Sequence, residues 1–194
     1  MRASPADPTA PLELSYFGPD ARALGPEDFA ARHGRAFLLL RGALDPSRKP
    51  TSPQKTMIIR DGSAPPPPRS EIEKARDSDA AGRGLGQLLV YPVKQTGRTP
   101  FPRVVTVGRT RNNDIVLPDI SISKFHAFFK DEGGLFALSD GESRNGTFVD
   151  GDRVSSAKQG RPTPLKSGTL LKFGGLEFRF LDAADLIMVV RQFA

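Results

Sequence analysis

Three short segments of this chain concentrate side chains that can hold an anion. The first is Gly108-Arg109 with Asn112-Asn113-Asp114-Ile115, the second runs from Ser121 to Ala127, and the third from Ser143 to Gly151. They offer a guanidinium (Arg109), a hydroxyl and an ammonium (Ser123, Lys124), and a second guanidinium beside a carboxamide (Arg144, Asn145). That set suits a phosphate monoester attached to a peptide. Arginine's planar fork takes two phosphate oxygens, a serine hydroxyl donates to a third, and asparagine bridges backbone donors and acceptors. Each segment falls at or just beyond a stretch with strand character, where exposed loops carry binding groups. Spacing alone does not bring the three together.

Residue type excludes much other chemistry. The chain has no cysteine, so thiolate catalysis, disulfides and cysteine-held zinc or iron–sulfur centres are out. Its two histidines, His33 and His126, are too few for a multi-histidine metal site. Gly82-Arg83-Gly84-Leu85-Gly86 resembles a phosphate loop only superficially, because it follows a polar stretch and precedes a strand. No P-loop, nucleophile elbow or paired-histidine motif occurs, and the acids are scattered in turns. The chain therefore reads as a non-enzyme with no cofactor and no metal. A net charge of +6 with both signs interspersed provides no basic arm or stripe, so nucleic acid is not an expected partner. The N-terminus lacks the apolar centre of a signal peptide, and apolar runs in the N-terminal half, such as Phe37–Leu40, fall far short of a membrane span. No membrane partner is expected, and the expected location is cytoplasmic.

The elements that must position these groups are strands. Leu176–Phe180 alternates apolar and charged residues with the period of a half-buried strand, and Leu171–Phe173 does the same. Leu88–Tyr91, Arg103–Val107, Phe125–Phe129 and Leu135–Leu138 are apolar or β-branched. Turn signals such as Asp131–Gly134, Asp140-Gly141, Asn145-Gly146, Asp150-Gly151 and Lys166–Gly168 separate them, which predicts a β-sandwich or barrel. From Ala183 to Phe193 the pattern turns helical, with Asp182 placed to cap it. The N-terminal half differs, since fourteen of the 18 prolines fall in residues 1–100. Three divisions follow: a small element over 1–40, a Pro-rich and charged flexible linker over 41–84, and a sandwich over 85–194 that folds alone. In the first, Pro26-Glu27-Asp28 starts a helix, and Phe29, His33, Phe37 and Leu40 recur at helical spacing, with His33 on one edge of the face.

Taken in order, Gly108-Arg109, Ser123-Lys124-Phe125-His126, Asn145-Gly146 and Leu165-Lys166-Ser167-Gly168 resemble the motif series of the forkhead-associated (FHA) domain, over about residues 87–182. The resemblance implies an all-β, FHA-type sandwich of about eleven strands, here with a short C-terminal helix and a largely irregular N-terminal extension. It also implies recognition of phosphothreonine in a partner protein. Carried over, Arg109 and Ser123 contact the phosphate, Lys124 adds a charge, and Asn145 holds the peptide backbone. Gly108, His126 and Gly146 become scaffold of the site, with His126 tying the loops by hydrogen bonds. Family members often have Ser or Thr before the asparagine; this chain has Arg144, which is left to meet phosphate or an acidic neighbour. The implied function is a non-catalytic phosphothreonine-peptide adaptor in Ser/Thr kinase signalling, with a kinase or its substrate as partner. The alternative is a phosphate-independent protein–protein scaffold. Thr56, with Ile59 three positions on, is a further candidate as an intramolecular ligand.

Overall fold

A computed structural model of the chain describes residues 7–42 and 88–193. Thr56 and residues 43–84 of the expected linker lie outside the described residues. Among the described residues, twelve strands form two sheets. They are β1 (Leu12–Glu13), β2 (Ala36–Arg41), β3 (Leu89–Pro92), β4 (Val104–Gly108), β5 (Ile115–Val116), β6 (Ala127–Glu132), β7 (Leu135–Asp140), β8 (Thr147–Val149), β9 (Asp152–Arg153), β10 (Thr163–Pro164), β11 (Leu170–Phe173) and β12 (Leu176–Asp182). One sheet has the order β1-β3-β2-β12-β11-β8-β9, and the other β10-β7-β6-β4-β5. Every pair is antiparallel except β4 with β5.

The expected alternation places the core. Leu176, Phe178 and Phe180 of β12 point inward, with Leu171 and Phe173 of β11, onto Val105, Val107, Phe129 and Leu138 of the facing sheet. The tight β8–β9 connection is Asp150-Gly151, both at positive φ (50° and 95°), as a two-residue hairpin of this hand requires. At the C-terminus the helix α3 (Ala183–Phe193) forms as expected. Asp182 caps it, its Oδ1 accepting the Asp185 N–H at 2.8 Å.

The N-terminal element departs from the sequence expectation in both form and place. Helix α1 (Gly18–Ala23) is followed by α2 (Pro26–His33), which stops at Gly34, where φ is +117°. Phe37 and Leu40 then lie not on a helix but on β2. This strand is inserted between β3 and β12, pairing Leu38 with both Tyr91 and Phe180. Its run of apolar residues is buried on both faces: Leu38 and Leu40 enter the inter-sheet core, while Phe37 packs with Phe17, Phe29, Leu186 and Ile187 under the helices. The extension is therefore ordered from Leu12 to Arg41. The sandwich expected over 85–194 takes in this strand as well, because β2 lies between β3 and β12 in the sheet.

Strand directions give the sandwich two distinct ends. The loops after Gly108, before Ala127 and after Asp140, and the Gly174-Gly175 turn, all fall at one end. Arg41 pairs with Glu177 and Leu39 with Val90, so the chain leaves β2 and re-enters β3 at that same end.

Candidate functional site

Ser123 is the hub of the loop end. Its carbonyl accepts the Arg109 N–H at 2.9 Å, and its Oγ accepts the Arg144 N–H at 3.0 Å. Its own N–H donates to His126 Nδ1 at 3.0 Å. One residue thus ties together the three segments that hold the candidate anion ligands. Because the Ser123 Oγ already accepts from Arg144, its proton is left to donate outward. Ser123 is half-buried, whereas Arg109, Lys124 and Arg144 are exposed. Among the described residues, none of these three cations is paired with a carboxylate.

His126 is fully buried and works as a strut. With Nδ1 accepting from Ser123, the ring proton sits on Nε2, which donates to the Gly146 carbonyl at 3.1 Å. Burial pushes its pKa below the ordinary value, against the opposing pull of the Gly146 carbonyl and Asp140. The neutral ring is the form this geometry needs. The Gly146 carbonyl also accepts from Gly174 at 3.1 Å, next to the paired β8 and β11 of one sheet, while His126 reaches it from the other sheet.

Gly108 is required by close approach. A Cβ there would lie 2.3 Å from the Lys124 carbonyl and 2.6 Å from Asn113 Nδ2. Asn113, buried, donates to the Thr110 and Lys124 carbonyls at 2.8 Å each, so the Arg109 loop is stitched to the Lys124 loop. Behind it stands Asp114. Burial raises its pKa, but hydrogen bonds from Thr106 and Thr96 outweigh this and hold it below the ordinary carboxylate value. Asn145 donates from Nδ2 to the Ser121 carbonyl at 2.7 Å, which fixes the carboxamide and turns its Oδ1 the other way. Ser121 is held in turn by Asp119 and by the Gly175 N–H, which its Oγ accepts at 2.8 Å. The loop before Asn145 hangs on Asp140, whose carboxylate accepts from Ser143 and Thr147.

All eight residues singled out in the sequence for this site therefore lie on one end of the sandwich. Of the supports, Asn113 and Ser121 fall in the segments picked out from sequence but were given no role there, and Asp119 and Asp140 were not picked out for the site. The spacings Asp119-x-Ser121 and Asp140-x-x-Ser143 fit carboxylate-capped turns and carried a local signal for three of the four. Among the described residues, no group of three or more His, Asp or Glu side chains could hold a metal ion, and no helix is long and apolar enough to cross a membrane.

Comparison with known proteins finds the FHA domain over residues 105–174. An ABC transporter ATP-binding/permease protein of Mycobacterium tuberculosis is 34% identical over 136 residues, covering 69% of this chain and 14% of that protein. The glycogen accumulation regulator GarA of Mycolicibacterium smegmatis is 44% identical over 76 residues, covering 39% of this chain and 44% of that one. The chain thus spans less than half the length of either relative. A solved structure of the yeast Dun1 FHA domain, in complex with a doubly phosphorylated (pT) peptide derived from Rad53, is 35% identical. It covers 43% of this chain and 62% of that one, with a TM-score of 0.35. The family match begins in β4 and ends at the β11–β12 turn, so it takes in every loop that Ser123, His126 and Asn145 join; this chain carries an FHA domain over residues 105–174.

Proposed function

We propose that this protein is a non-catalytic reader of phosphothreonine peptides, an adaptor between a Ser/Thr kinase's product and a second protein. The observation that carries this reading is Ser123. Its hydroxyl accepts from the Arg144 N–H and keeps its proton to donate, on the same loop end as three cations that have no carboxylate partner among the described residues. A phosphate monoester with about −1.5 to −2 charges matches that vacancy in both charge and hydrogen-bonding sense. In this reading Arg109 forks onto two phosphate oxygens, Ser123 donates to a third, and Lys124 and Arg144 add charge. Asn145 accepts from the peptide backbone through Oδ1. A phosphate-independent scaffold has no use for three exposed cations, without carboxylate partners among the described residues, on the loops that Ser123 ties together.

The test is a phosphothreonine peptide library titrated beside the same peptides unphosphorylated, with a duplex DNA control. Binding confined to the phosphorylated set is expected. Equal binding of both sets would overturn the reading in favour of the scaffold. A phosphorylated Thr56 in the same chain is one source of ligand, supported by Gly42 and Leu88 both lying at the site's end of the sandwich. Tethering would give it an effective concentration of about millimolar. Chain phosphorylated at Thr56 should then bind outside phosphopeptides more weakly than the Thr56→Ala chain treated alike. Equal affinities would remove this ligand.

A further inference from the structure

We propose that Arg153 and Lys172 form a subsite for acidic residues, so that the ligands of this protein carry Asp or Glu on the side of the phosphothreonine that passes Gly146. The inference rests on the phosphothreonine reading and adds the charge class of the ligand. It begins with register. The antiparallel pairings place Arg153, Phe148, Lys172, Glu177 and Arg41 in one row across β9, β8, β11, β12 and β2. Leu171, Phe173, Leu176, Phe178 and Leu40, their neighbours along the strands, fill the inter-sheet core. Successive residues of a strand point to opposite faces, so the row faces solvent.

Within that row, charge is satisfied at one end only. Glu177 lies 4.0 Å from Arg41. Lys172 Nζ stands over the Phe148 ring, 5.9 Å from its centroid. Among the described residues, neither Lys172 nor Arg153 is paired with a carboxylate. Asp140 is engaged with Ser143 and Thr147, and Glu142 with Lys158 at 3.1 Å.

The row also reaches the phosphate site. A Cβ on Gly146 would lie 3.2 Å from Arg153 Nε and 3.1 Å from Phe148 Cε2. The Arg153 side chain therefore crosses the backbone of the residue next to Asn145, with the Phe148 ring beside the same point. Arg109, Lys124 and Arg144 lie on the loops of the same end. A peptide held at Asn145 that runs past Gly146 meets two exposed cations on an aromatic base. A carboxylate there gains a charge-assisted contact, and an arginine or lysine there is repelled.

The experiment uses the full chain and three phosphothreonine peptides whose flanking positions on one side are Ala, Glu or Lys. A mirrored set varies the other side, and unphosphorylated controls accompany both. Fluorescence anisotropy should show Glu flanks binding about fivefold tighter than Ala flanks, on one side only, as expected for two exposed charge pairs. In the Arg153→Ala, Lys172→Ala double variant that advantage should fall below about twofold, with affinity for the Ala-flanked peptide unchanged. Arg153→Glu should turn the preference toward Lys flanks. If either variant fails to fold, Arg153→Gln with Lys172→Gln serves instead. Equal binding of Glu- and Ala-flanked peptides by the parent, or a Glu advantage that survives both substitutions, overturns the subsite alone. A parent chain that distinguishes no phosphorylated peptide from its control overturns the phosphothreonine reading, and this inference with it.

Discussion

At the scale of single residues, the groups proposed to touch the ligand are distinct from the groups that hold them in place. Arg109 makes no ion pair among the described residues, so removing it should leave the fold intact while taking a bidentate contact from the phosphate. Arg109→Ala should cost about 2–4 kcal/mol of phosphopeptide affinity by calorimetry, with an unchanged unfolding midpoint. Gly108→Ala should do the reverse in part. The new methyl meets the Lys124 carbonyl at 2.3 Å, so about 1–3 kcal/mol of stability should go, and affinity with it as the Arg109 loop shifts. An unchanged midpoint for this variant would mean that the loop gives way freely. His126 makes a pH prediction. Its folded pKa is depressed by burial, so between the ordinary value of 6.5 and that lower value the unfolded chain holds the extra proton. Its contribution to stability is complete above about pH 6.5 and is lost as pH falls through the folded value. Buried His33 is shifted in the same direction for the same leading reason, despite its contact with Asp20. Urea midpoints at about pH 7.5 and about pH 5.5, with the two ring signals followed by NMR, should show the loss and divide it between the rings. A midpoint that does not fall on acidification would contradict the Nδ1-acceptor role of His126.

Among the elements, α3 and the N-terminal helices serve the sheet rather than the site. Leu186 is fully buried with Phe17, Phe29, Phe37 and Val90, on the face of the seven-stranded sheet that looks away from the core between the sheets. Leu186→Ala should remove about 2–4 kcal/mol of stability by leaving a cavity. Phosphopeptide affinity measured below the unfolding transition should not change, because no site loop touches this cluster. A parallel loss of affinity would mean that the helical layer sets the loop end at a distance. Legibility follows burial here. β12 was readable because one of its faces is wet and its residues alternate. β2 was not, because Phe37, Leu38 and Leu40 are buried on both sides and show no period of two. Phe29, His33, Phe37 and Leu40 matched helical spacing, yet Gly34 ends the helix between the second and the third.

For the whole molecule, the consequence is a sandwich closed by a strand from the far side of an intervening stretch of sequence. β2 pairs along its length with β12 and supplies Ala36, Leu38 and Leu40 to the core. A protease site placed between residues 43 and 87 should therefore be cut without separating the two pieces, which should co-elute on size exclusion until denatured. The 85–194 fragment made alone should bind an apolar dye and unfold without a cooperative transition. A monomeric fragment with a sharp transition would show that β3 and β12 close without β2.

Sequence by itself determined the chemistry available to this protein. The absence of cysteine removes thiolate chemistry, the ordered Arg109, Ser123, Asn145 series carries the family resemblance, and alternation fixes which strand faces form the core. These are local properties, set by residue type and by periods of two. Tertiary structure alone decided what meets what. That Ser123 joins three loops, that Arg153 crosses Gly146, and that residues 36–41 lie between β3 and β12 all depend on pairing between segments distant in the chain. Such pairing is selected by the total burial of two sheets and a helical layer, and no single stretch of sequence carries that sum.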